Sequence, residues 1–111
     1  MALDARLSQI AQAYSRELAE TKVLAHRSRI SGDVVNRLHR AGYGFQRAGE
    51  NLAEGADPIG AHELIAASPA HRRNLIDPNF DRCGIGVAEI RRSGSQSAVL
   101  TEIFAGGDAA P

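Results

Sequence analysis

The sequence is poor in the features that hold small extracellular domains together. It has one cysteine, Cys83, no tryptophan, and only 5% aromatic residues among 111 positions. A single cysteine cannot form an internal disulfide, so the fold must be stabilised by packing. The length fits one domain, and 43% hydrophobic with 23% charged residues is typical of a globular protein.

The chain also lacks an excess charge and a long apolar run. Its 13 Lys and Arg balance its 13 Asp and Glu, so we expect no nucleic-acid partner. No apolar run approaches the ~20 residues that span a bilayer, and Met1–Arg6 is charged where a signal peptide would be apolar. Two alternatives stay open: a protein that remains inside the cell, or the mature or excised domain of an exported one.

Periodicity and capping residues predict four helices. The first has apolar residues every three or four positions, and the last two begin with Asp-Pro and Ser-Pro, a capping side chain before a proline at the first helical position. The predicted helices are Leu3–Ala19, Asp33–Ala41, Pro58–Ala67 and Pro69–Ile76.

Extended structure is predicted in the second half. The strands Cys83–Ile90 and Ala98–Phe104 alternate well enough to form a β-hairpin. The four glycines of Gly42–Gly55 predict a turn, a brief extended piece and a loop around Gly49–Asn51. We place the domain at residues 1–105 and a flexible tail at residues 106–111.

Two residues stand out as candidates for chemistry. His71 falls in the first turn of a predicted helix, where the positive end of the dipole favours a neutral imidazole suited to a metal or a hydrogen bond. Glu50 lies between glycine and asparagine in the predicted loop, where a carboxylate could ligate a metal. For His39 and His62 we expect no special role. Cys83 is expected to be a buried, unbonded filler.

Several segments, in this order, resemble bacterial members of the CAP superfamily, also called the SCP domain. Gly49-Glu50-Asn51 and Ser68-Pro69-Ala70-His71-Arg72-Arg73-Asn74 are the most specific when they occur together. The other matching segments are the helix from Leu3, His26-Arg27-Ser28, Arg37, Ala41-Gly42-Tyr43 and Gly84-Ile85-Gly86-Val87-Ala88.

The resemblance implies an α+β fold, an α-β-α sandwich with a central cleft. By position, His26, Glu50 and His71 are the residues that face one another in the family and bind a divalent ion such as zinc. The family's second cleft glutamate would stand at Ser68, and Glu63 comes one to two turns too early. We include Asn51, Glu63 and Ser68 as further cleft candidates.

The family's opening helix has no counterpart ahead of Leu3, so we expect uncovered apolar surface and self-association. The resemblance favours an extracellular or periplasmic module that binds a metal or a polar ligand. Two alternatives stay open: a zinc-dependent hydrolase, and a structural or protein-interaction domain with a vestigial cleft. Catalysis is the less favoured interpretation because the second glutamate is missing.

Overall fold

Helices cover both faces of a four-stranded mixed sheet in the computed structural model, which describes residues 1–108. The sheet order is β1-β3-β4-β2, with β1 parallel to β3 and the other pairs antiparallel. The elements are β1 (Ala2–Leu3), α1 (Ala5–Thr21), α2 (Val34–Arg40), β2 (Arg47–Gly55), α3 (Pro58–Ala67), α4 (Pro69–Ile76), β3 (Arg82–Arg92) and β4 (Ser95–Gly106). The predicted α-β-α sandwich is confirmed.

Helix α1 lies directly against β3 and β4. Its buried stripe is Leu7, Ala11, Tyr14, Ser15 and Leu18. A Cβ atom at Gly86 would lie 2.3 Å from the Ala11 carbonyl carbon, so glycine is what lets the helix approach the strand this closely. The predicted start at Leu3 is wrong, because the Asp4 side chain accepts from the Leu7 N–H and caps the helix.

The predicted loop around Gly49–Asn51 is also wrong, because these residues lie inside strand β2, which pairs with β4 along its length. Side chains alternate across the sheet, so Glu50 faces α1 and Asn51 faces α4. Helices cover both faces of β2, and polar residues stand at buried positions. The strand therefore lacks the apolar alternation that marks strands in a sequence.

Helices α3 and α4 have the predicted bounds. Asp57 caps α3 by accepting from the Gly60 N–H at 2.7 Å. The Ser68 side chain makes no capping hydrogen bond to the described residues, contrary to expectation. Ser68 ends α3 and begins α4 at once, and its backbone serves both helices: its N–H donates to Ile65 and its carbonyl accepts from Arg72.

The predicted hairpin is confirmed, with longer strands than expected. Ser93 and Gly94 form its turn with φ of 47° and 81°, the left-handed pair that suits a tight hairpin. Gly106, placed in the tail by the sequence, is the last residue of β4 and pairs with Arg47. Residues 109–111, also assigned to that tail, lie outside the described residues.

Some large apolar side chains stay exposed, among them Leu3, Ile59 and Ile85. Self-association to cover such surface stays a prediction. Over residues 1–108, no helix combines the length and the apolar character needed to cross a membrane.

Candidate functional site

The buried carboxylate of Glu50 is the centre of the first polar cluster. Its side chain is 2% exposed. Oε1 accepts from Nδ1 of His26, in the segment between α1 and α2, at 3.0 Å, and Oε2 accepts from Nη2 of Arg37 in α2. Both carboxylate oxygens therefore have a partner, and one partner is a permanent cation.

Arg37 ties this cluster to the rest of the fold. The residue is 6% exposed, and its guanidinium carbon lies 3.4 Å from the centre of the Tyr14 ring on α1. Its Nη1 donates to the Gly32 carbonyl at 2.6 Å. Burial raises the pKa of Tyr14, so the ring stays neutral beneath the cation. Arg37 thus joins α1, α2 and β2 through one charged group.

His26 is the part of the cluster that meets solvent. Its side chain is 60% exposed, although Nδ1 is held by Glu50. The hydrogen bond to Glu50 raises the pKa of His26 above its ordinary value, against the opposing effect of partial burial. With Nδ1 donating to the carboxylate, Nε2 is the nitrogen left to interact with a ligand.

A second polar cluster occupies the opposite face of β2. Asn51 is fully buried, and its Nδ2 donates to the His71 carbonyl at 3.1 Å and to Oε1 of Glu102 at 3.3 Å. Its Oδ1 accepts from Nδ2 of Asn74 on α4 at 2.8 Å. His62 on α3 contacts Oε2 of Glu102 through Nδ1 at 2.7 Å. This cluster fastens α3 and α4 to the sheet.

The structure joins His26 to Glu50 but bonds neither to His71. Nδ1 of His71 is buried and has no hydrogen-bond partner among residues 1–108. Over the same residues, no group of three His, Cys, Asp or Glu side chains could hold a metal ion. The three-residue metal site stays a prediction. Of the further cleft candidates, Asn51 is buried in the second cluster, Ser68 lies between α3 and α4, and Glu63 is exposed.

Sequence reasoning gave no site role to five residues of these clusters: Tyr14, Arg37, His62, Asn74 and Glu102. Arg37 had a usable signal, since it is one of the segments that resemble the CAP superfamily and it comes one position before the buried Leu38 on a short helix. The pairing of His62 with Glu102 joins residues 40 apart on different elements, and no linear motif encodes it.

Cys83 is unbonded as predicted, but it is only half-buried. Burial raises the pKa of its thiol, and the negative charge of Glu102 adds to that effect. The thiol is therefore a poor nucleophile at neutral pH.

The chain is similar to known proteins of one family. The model of the cysteine-rich secretory protein family, CAP, matches residues 1–104. The uncharacterized protein YkwD of Bacillus subtilis (strain 168) is 32% identical over 107 residues, which cover 94% of this chain and 38% of that protein. The chain thus spans well under half the length of this relative.

Two solved structures are similar. An extracellular protein containing an SCP domain, from Bacillus anthracis, superposes with a TM-score of 0.83 at 28% identity, covering 96% of this chain and 34% of that one. An outer surface protein from Borrelia burgdorferi gives a TM-score of 0.76 at 22% identity, covering 96% of this chain and 77% of that one. At that identity, the second likeness concerns the fold alone.

Proposed function

The chain belongs to the cysteine-rich secretory protein (CAP) family, and from this premise we propose that it is an extracytoplasmic binding module whose ligand meets the imidazole of His26. The observation that carries the proposal is the buried Glu50 carboxylate, which holds Nδ1 of an exposed His26 at 3.0 Å. A ring fixed from behind presents Nε2 in one orientation, which lowers the entropic cost of binding. An extracytoplasmic location is supported by the relative from Bacillus anthracis, an extracellular protein.

A divalent metal would bind here through imidazole nitrogens rather than through Glu50. Both Glu50 oxygens accept hydrogen bonds, and Arg37 compensates the carboxylate charge. Glu50 would therefore orient His26 from behind, as carboxylates commonly do for metal-binding histidines. Nδ1 of His71, which is buried and has no partner among residues 1–108, is the second candidate ligand. Because α4 packs on the face of β2 opposite to Glu50, this imidazole must reach past the edge of the strand to share an ion with His26. Zinc, which accepts neutral imidazole nitrogens, would suit this pair.

Hydrolysis is the weaker alternative. A zinc hydrolase needs a base that can take a proton from the bound water. Glu50 has no free oxygen for that task, and Glu63 is exposed on α3. We therefore expect binding without zinc-stimulated turnover of peptides or esters.

Zinc titration by calorimetry tests the proposal. We expect affinity in the micromolar range or weaker, no binding in His26→Ala or His71→Ala, and about 10–100-fold weaker binding in Glu50→Gln, the effect of losing a group that orients a ligand. His39→Ala is the matched control, because His39 stacks on Phe45 away from the cluster. Undiminished zinc binding in His26→Ala would refute the role of His26. If the protein showed zinc-dependent turnover, and Glu50→Gln lost that turnover while keeping its zinc affinity, the protein would be a hydrolase and not a binding module.

A further inference from the structure

A cavity of about 330 Å³ lies between α1 and α2 and is separate from the exposed edge of His26. Its apolar wall includes Ile10, Ala13 and the ring of Tyr14. Its volume is at the lower end of the range of about 300–1,000 Å³ seen for small-molecule sites. The cavity can therefore hold a molecule of roughly amino-acid size.

Glu17 and Arg37, two residues of opposite charge that line this cavity, each carry a covered polar atom without a hydrogen-bond partner in the described part of the chain. Oε2 of Glu17 is a buried acceptor, and Nε of Arg37 is a buried donor, and neither has a partner among residues 1–108. A buried polar atom without a partner destabilises the folded state. A polar molecule in the cavity would satisfy both atoms if the two side chains turned toward it.

The charges around the cavity define what that molecule must carry. Arg37 already balances Glu50, while Arg40 also lines the cavity and donates to the Ser31 carbonyl. Glu17 supplies the opposing negative charge. A ligand with an ammonium group for Glu17 and a carboxylate for the two arginines would form charge-assisted hydrogen bonds at both ends and add no net charge.

We propose that this cavity binds a small zwitterionic amino acid with an apolar side chain, its ammonium group at Glu17, its carboxylate at Arg37 and Arg40, and its side chain against Ile10 and Ala13. The site does not include His26, although Arg37 also contacts the Glu50 carboxylate that holds His26. It requires a small local adjustment of the Glu17 and Arg37 side chains toward the ligand, since both unpartnered atoms are now covered.

Backbone-amide NMR titration with three probes tests the proposal. L-leucine carries both charged groups, 4-methylpentanoate lacks the ammonium group, and 3-methylbutylamine lacks the carboxylate. We expect leucine to shift the amides of α1 and α2 around the cavity and to bind at least about tenfold more tightly than either partial probe, because each lost charge-assisted bond is worth about a factor of ten.

Variants make the test specific. Glu17→Gln should weaken leucine binding about tenfold, and Ala13→Leu should block the cavity, while Glu20→Gln, an exposed carboxylate on the same helix, should change nothing. All three should keep the zinc affinity of the parent protein, which separates this site from the one at His26. No leucine-induced shifts at α1 and α2, equal binding of the three probes, or full binding in Ala13→Leu would overturn the proposal.

Discussion

Each face of the sheet carries a similar pair of a histidine and a glutamate, but the groups around the two glutamates differ. On the α1 face, His26 contacts Glu50, and on the α3 face His62 contacts Glu102. In each pair the histidine side chain is about half exposed, at 60% and 51%, and the glutamate is buried, at 2% and 4%. The two pairs therefore differ in the groups that surround the glutamate.

The surroundings differ in charge. Glu50 has a buried guanidinium on its second oxygen, whereas among the described residues the second oxygen of Glu102 accepts only from the amide of Asn51. A buried carboxylate is costly unless it is paired and hydrogen-bonded. The first pair is therefore internally compensated and leaves its histidine available for a ligand, while the second pair relies on its own histidine and serves to fasten α3.

Removing Arg37 should have the largest effect. Arg37→Met leaves Glu50 buried without its compensating charge, and we expect a loss of about 3–5 kcal/mol in the free energy of unfolding. Urea denaturation measures it, with Arg40→Met, an exposed arginine on the same helix, as the control. A loss below about 1 kcal/mol, the usual value of an exposed ion pair, would contradict the idea that Arg37 compensates the buried charge of Glu50.

Breaking the second pair should cost less. In His62→Ala, Glu102 keeps Asn51 as a partner and gains access to water, so we expect a loss of about 1 kcal/mol. The double variant His62→Ala, Glu102→Leu should recover part of that loss, because no buried acceptor is then left unpaired. His62 and Glu102 would not act as a pair if the double variant lost at least as much free energy of unfolding as His62→Ala and Glu102→Leu lose together when measured separately.

The pH dependence of stability should sharpen the contrast. The folded-state pKa of His26 is raised above 6.5 by the Glu50 hydrogen bond. Its contribution to stability is therefore fully present below about pH 6.5 and is lost as pH rises through the folded pKa. Unfolding of the metal-free protein and of His26→Gln, measured from about pH 5.5 to about pH 8.5, should show a difference that shrinks with rising pH. A difference in stability that stayed constant across this pH range would contradict the raised pKa of His26.

The smallest expected effect is on the reactivity of the Cys83 thiol. Because the charge of Glu102 contributes to the raised thiol pKa, Glu102→Gln should lower that pKa and speed alkylation near neutral pH. Glu50→Gln, on the other face of the sheet, is the matched control and should leave the rate unchanged. Equal acceleration in both variants would indicate a general loosening of the fold instead.

Local signals predicted local structure well in this protein. Asp57-Pro58 and Ser68-Pro69 defined the starts of α3 and α4, because proline suits the first turn of both helices and Asp57 also caps α3. The hairpin followed from its apolar strands and its Ser-Gly turn. Only a brief extended piece was predicted in the region of β2, because helices bury this strand on both faces. Its glycines and polar residues have non-local partners, such as the Phe80 ring, which would lie 2.9 Å from a Cβ at Gly49.

The sequence by itself determined the helices, the hairpin and, through its resemblance to the CAP superfamily, the sandwich; the resemblance also singled out His26 and Glu50, which are hydrogen-bonded in the structure. Only the tertiary structure decided which groups meet. The alternation of β2 sends Glu50 to one face and Asn51 to the other, and partners 24 and 40 residues apart complete the two pairs. Such contacts depend on strand register and on how helices dock, and neither is encoded in the spacing of residues along the chain.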